Sequence, residues 1–149
     1  MNLIRVVNRT RGTLLGNQIR LVDSWPGRLR GYLGRPEPKP GEGMLLVRCN
    51  AVHMFGLGFA LDLIFLSKNG DVVETFPQLQ PWKRTNRVSD ANYALELPAG
   101  AIEASYTQVG DRFTWTSPEP VFQLLSPARG VLDPRSGVRN DGTNGGPER

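Results

Sequence analysis

The most apolar run of the chain, Leu61 to Leu66 (LDLIFL), is interrupted by one aspartate, Asp62, and runs into the turn signal Lys68-Asn69-Gly70-Asp71. Alternation places Leu61, Leu63 and Phe65 on one face, and Asp62, Ile64 and Leu66 on the other. Asn-Gly suits the positive φ values of a type I′ hairpin, so Val72 to Phe76 (VVETF) is predicted to return beside that strand. Shorter runs predict strands at Leu3–Val7, Leu14–Val22, Met44–Val47, Ala91–Leu97 and Arg112–Thr116, with Gly16-Asn17 as a bulge or bend. The first two are expected to pair.

Helical spacing occurs twice. Ser24 is suited to an N-cap, Pro26 falls in the first turn, and Trp25, Leu29 and Leu33 recur every four residues. This predicts a helix of two or three turns, ended by Gly34, that buries those three side chains on the sheet. A shorter helix-like piece is predicted at Ala101–Tyr106. Pro36, Pro38 and Pro40 make 35–43 an exposed linker. Residues 77–90 read as a long polar loop carrying Trp82. Together these predict a mainly β fold over residues 1–117, a small antiparallel β-barrel-like domain with one or two short helices. From Pro118 the pattern fades into a tail rich in Pro, Gly and Arg, 118–149, expected to be partly docked or disordered, since it has too few apolar residues to offset its ordering entropy.

Composition agrees with a turn-rich fold: 17 glycines and 12 prolines in 149 residues disfavour a helix bundle. One cysteine, Cys49, excludes an internal disulfide and any multi-cysteine metal site; it is expected to be buried and inert. No apolar run reaches the roughly 18 residues of a membrane helix. The opening MNLIRVVNRT has no apolar stretch behind a basic start, so no secretory signal is readable and the expected compartment is cytoplasmic. Net charge is +4, and residues 1–40 hold eight Arg and Lys against two acids. Such an N-terminal third is either a solvated basic face or a surface for an anionic partner.

A few residues could carry chemistry. Asp62, a carboxylate in an apolar strand, is either a pocket-facing ligand or acid–base group, or a buried acceptor of backbone N–H bonds that pins a loop such as 54–60. His53, the single histidine, precedes it by nine residues across a Gly56/Gly58 loop, so Asp62 could orient it as a base. The plainer reading is a histidine in a polar niche. Glu96 could pair with Arg28 or Arg30, and with Arg30 completes the set of ligand-binding candidates His53, Asp62, Glu96 and Arg30. Trp82, Lys83, Arg84 and Arg87 form a basic, aromatic loop suited to a protein partner or to weak nucleic-acid binding, nucleic acid being the less favoured. Ser67, Ser89 and Ser105 lie in no nucleophile-elbow pattern, and Gly56-Leu57-Gly58 leads into a strand rather than a helix, so it is no nucleotide fingerprint. One histidine and scattered carboxylates give no ligand spacing for a metal, and no cofactor is indicated.

The succession GYLGR (31–35), GEGMLLV (41–47), VHMFGLGFALDLIFLSKNGDVV (52–73), ALELPAG (94–100) and VGDRF (109–113) resembles the conserved blocks of the domain of unknown function DUF-192, in their order, across roughly residues 20–116. The resemblance implies a small, mainly antiparallel β-barrel-like domain and no established activity. It gives weight to Gly43, Met44, Asp62, Glu96, Gly100, Gly110 and Asp111. Many members carry an aromatic-Trp-Met triplet where this chain has His53-Met54-Phe55; the histidine form looks like a variant branch with some members at pilus or secretion loci. Many also begin with an export signal or lipid-attachment cysteine, absent here.

These readings favour a non-enzymatic binding or accessory domain whose His53/Asp62/Glu96 side meets an unidentified small molecule or protein. A hydrolase- or isomerase-type enzyme using His53 and Asp62 is the alternative, and nucleic-acid binding through the basic N-terminal third and the Trp82 loop is a further one.

Overall fold

A computed structural model describes residues 2–117; the expected tail at 118–149 lies outside the described residues. The elements are β1 (Leu3–Asn8), β2 (Thr13–Val22), α1 (Trp25–Arg30), β3 (Gly41–Val47), β4 (Leu61–Leu66), β5 (Val72–Leu79), β6 (Tyr93–Pro98), α2 (Ala101–Ala104) and β7 (Phe113–Thr116). The seven strands form one curled, half-barrel sheet in the order β5-β4-β6-β3-β2-β1-β7. The mainly β fold with two short helices is therefore as the sequence predicts. It departs from a purely antiparallel sheet at one place, where β2 and β3 run parallel. A parallel pair needs a long crossover, and residues 23–40, including α1, supply it.

The two outer strands meet at one corner. Val72 N donates to Asp111 O and Phe113 N to Gly70 O, each at 2.8 Å, and Arg112 pairs with Asp71 at 3.0 Å. Gly70 has φ +87, and a Cβ there would lie 2.5 Å from the Phe113 carbonyl oxygen. Gly70→Ala is therefore expected to cost about 2–4 kcal/mol, from left-handed strain plus the opened corner; chemical unfolding of the two proteins measures it. The turn itself is not type I′, because Gly70 has positive φ and Asn69 does not. Ser67 explains the difference: its N–H donates to Asp71 O at 2.9 Å, and its hydroxyl accepts from Asn69 N and Asp71 N, which holds a longer turn with glycine in the left-handed position.

β4 is buried on both faces, which is why its sequence reads as a nearly unbroken apolar run. Ile64 and Leu66 join Ile4, Ile19, Leu45, Leu95, Leu97 and Phe113 inside the curl. Leu61, Leu63 and Phe65 face the other way, under Tyr32, Met54 and Leu57. The predicted bulge at Gly16-Asn17 is present as a register shift of β2 against β3.

α1 is shorter than its spacing suggested. Ser24 caps it through Gly27 N at 3.2 Å, but it ends at Arg30, with Gly31 at φ +48 rather than Gly34 as the cap. Leu29 and Leu33 are 53% and 41% exposed, so they do not pack on the sheet. Tyr32, just past the helix, is the buried residue instead. The early stop lets the Gly31 backbone lie against the Glu96 carboxyl, where a Cβ would meet both oxygens at 3.1 Å.

Candidate functional site

Cross-strand registers bring distant residues into one row on the outer face of the sheet. Leu3 lies beside Arg20, Arg20 beside Met44, Met44 beside Glu96, and Glu96 beside Leu63. Neighbours in such a row share a face. Asp62 lies opposite Leu97, a residue of the inner core, and so belongs to the other face.

Asp62 is fully buried, and both its oxygens are used: Oδ1 accepts from Gln78 N and Oδ2 from Ile102 N, each at 2.8 Å. Gln78 has φ +51 at a register break between β4 and β5, where its N–H has left the ladder. Ile102 is in the first turn of α2, whose N-cap, Gly100, has no side chain to offer. Asp62 thus serves as a distant cap and a bulge clamp. It pins 78 and 102 rather than the 54–60 segment.

Glu96 is in the opposite condition. It is 4% exposed, and its Oε2 has no hydrogen-bond partner among the described residues. Burial alone pushes its pKa up from 4.5 to about 7. Of the two arginines expected beside it, Arg30 turns its Nε to Leu33 O at 3.0 Å, and Arg28 donates to Val47 O at 3.2 Å. The carboxyl lies in a narrow cleft of about 70 Å³ whose walls include Arg28, Arg30, Gly31, Tyr32, His53 and Phe55. Burial, then the nearby Glu96 and Glu42 carboxyls, push the Tyr32 hydroxyl well above its ordinary value, so it stays protonated.

The cleft therefore gathers His53, Glu96 and Arg30 and leaves out Asp62. The sheet separates Asp62 from His53, so the base-and-orienter pair envisaged from their spacing is not assembled. His53 is exposed at the rim; it bridges to Arg84 through the backbone, and its ring stacks on Phe55 at 5.2 Å. Phe55 in turn meets Trp82 at 6.2 Å. The 77–90 loop is held there by backbone bonds, Met54 N to Lys83 O at 2.7 Å and Thr85 N to Val52 O at 2.9 Å. Trp82 is 68% exposed. Arg84 and Arg87 line a separate groove beside Glu74 and Phe76. Cys49 is half-buried, its thiol pushed up by burial and bonded to Ala51 O at 3.3 Å. Among the described residues no three His, Cys, Asp or Glu side chains gather to hold a metal ion.

Tyr32 and Phe55 line the cleft without having been site candidates from the sequence, and Leu29 and Leu33, expected under the helix, line it as well. The one signal was Tyr32 between two glycines in GYLGR, a spacing that lets the backbone fold tightly over a carboxyl.

The profile of the uncharacterised family DUF192 matches residues 6–115. The chain belongs to DUF192. A UPF0127 protein of Pyrococcus furiosus is 34% identical over 116 residues, covering 74% of this chain and 97% of the relative. One of Thermococcus sibiricus is 27% identical over 139 residues, covering 91% and 88%. The crystal structure of a protein of unknown function from Novosphingobium aromaticivorans superposes with a TM-score of 0.66 at 19% identity, over 75% of this chain and 83% of that one. This last likeness concerns the fold. Of the block residues, Asp62 and Asp111 accept hydrogen bonds within the fold, and Gly110 N donates to Val72 O at 2.8 Å. Burial raises the Asp111 pKa, but hydrogen bonds from Asn8, Arg11 and Gln108 N outweigh it and hold the carboxylate below its usual range. Glu96 is the block residue whose carboxyl the fold leaves unsatisfied. No helix of the described residues is long and apolar enough to cross a membrane.

Proposed function

We propose that this DUF192 domain is a non-enzymatic binding module whose outer-face cleft takes a cationic hydrogen-bond donor, an amine or guanidinium group, onto Glu96. The buried, unpartnered Oε2 carries this reading. Such an atom is costly in a folded protein unless something supplies a donor, and the cleft volume admits one small polar head group. The rim supports it: Leu29, Leu33, Phe55 and Trp82 are all exposed and lie around or next to the opening. Aromatic faces attract cations, and a row of exposed apolar side chains favours a group borne by a protein or peptide over a free ion.

Methylguanidinium is the simplest probe. In ¹H–¹⁵N spectra it should shift the amides of Gly31, His53 and Phe55 saturably, with a Kd in the millimolar range expected of so small a ligand. Binding should tighten as pH rises through about 7, because the cation selects the ionised carboxyl, and should vanish in Glu96→Gln. Shifts that never saturate, or that persist in Glu96→Gln, would overturn the proposal.

A further inference from the structure

A second cavity lies on the same face, beyond Tyr32 from the Glu96 cleft. It measures about 660 Å³ and is bounded by Gln18 and Arg20 of β2, Tyr32, Arg35 and the proline-rich 36–40 segment. That volume lies in the range of small-molecule sites. The wall formed by Pro36, Pro38 and Pro40 is stiff, because each ring fixes its own φ. A stiff wall keeps the cavity open at little entropic cost on binding.

Its charges are unbalanced. Arg20 and Arg35 both line it, and the Arg35 Nε is buried with no hydrogen-bond partner among the described residues. The ion pairs among the described residues use Arg11, Arg48 and Arg112, and neither of these two. Burial first, then the nearby Arg20 and Arg30, work against the Arg35 charge. Glu37, Lys39 and Glu42 line the cavity too, and no ion pair among the described residues joins either acid to Arg20 or Arg35. Glu42 Oε1 accepts from Lys39 N at 2.9 Å, and Glu37 is exposed. Two arginines lining one preformed cavity, with a protonated tyrosine hydroxyl beside them, offer what a bound anion would need.

We infer that this cavity is an oxyanion site, in which Arg20 and Arg35 grip a carboxylate or phosphate group carried by a small organic molecule and Tyr32 donates to it. Planar guanidinium forks suit both groups through paired N–H···O bonds. The cavity exceeds a bare phosphate ion, so the rest of the ligand lies along Gln18 and the proline wall. This inference stands apart from the Glu96 cleft, which would take a cation and is tested by a cationic probe.

The experiment is calorimetric titration of the full chain with citrate and, separately, with inorganic phosphate, each against sodium chloride at matched ionic strength. Saturable heat with citrate alone assigns a carboxylate ligand; with phosphate, a phosphate ester. Arg35→Gln and Arg20→Gln should each weaken the response about tenfold, the scale of one lost charge-assisted hydrogen bond. Their circular dichroism should match that of the parent, which separates lost binding from lost folding. If both anions behave like chloride, or if a folded Arg20→Gln/Arg35→Gln double variant responds like the parent, the inference is overturned.

Discussion

Asp62→Asn is expected to unfold with about 3 kcal/mol less stability than the parent. The carboxylate accepts from two amides at once, Gln78 N and Ile102 N. An asparagine offers one oxygen to one of them and presents an NH₂ group to the other, which leaves two donors facing each other in a site closed to water. Neither amide has an easy substitute, since Gln78 sits at a bulge with positive φ and α2 has no capping side chain of its own. Equilibrium urea unfolding should show a lower midpoint at an unchanged slope, the mark of lost stability rather than altered compactness. Amide exchange at Ile102 should accelerate with it. Unchanged stability would mean that the fold does not need this carboxylate, and its role would have to be sought elsewhere.

Asp62 also illustrates how far the sequence could be read. Its burial was legible, because six residues alternating in an apolar run leave the aspartate nowhere polar to go. Its partners were not: Gln78 and Ile102 are 16 and 40 residues away, and only the curl of the sheet brings them in. The same holds for His53. Nine residues from Asp62 by sequence, it lines the outer cleft with Glu96, whereas Asp62 lies opposite Leu97 of the inner core. The strands were readable from their patterns, whereas the parallel β2–β3 pair required knowing where α1 leads. α1 is shorter than its spacing predicts. The four-residue spacing of Leu29 and Leu33 is real, but Gly31 breaks the helix between them, and both side chains stay at the surface as the rim of the cleft.

Glu96 should make the domain lose stability as pH rises. Its folded pKa is raised to about 7 from an ordinary 4.5. Below pH 4.5 the carboxyl is protonated in both states and contributes no difference. Between 4.5 and about 7 the unfolded chain releases the proton while the folded one keeps it, so stability falls with each step in pH. Above about 7 the loss levels off near 3 kcal/mol, from the free energy of the raised pKa. Glu96→Gln removes this slope. The variant should match the parent near pH 4 and exceed it by a few kcal/mol at pH 8, since a neutral amide costs less to bury than a charge. Unfolding curves of both proteins across that range measure the difference. A residue whose removal stabilises the fold at neutral pH is kept for something other than the fold, which is the physical basis for placing the binding site there.

The most direct measurement is a ¹³C NMR titration of the Glu96 side-chain carboxyl in the intact protein. The binding account predicts a midpoint near 7, falling when methylguanidinium is present, as an arriving cation favours the charged form. A midpoint near 4.5 that the cation does not move would contradict it, for the carboxyl would then already be solvated or paired and the cleft would have nothing to offer a ligand.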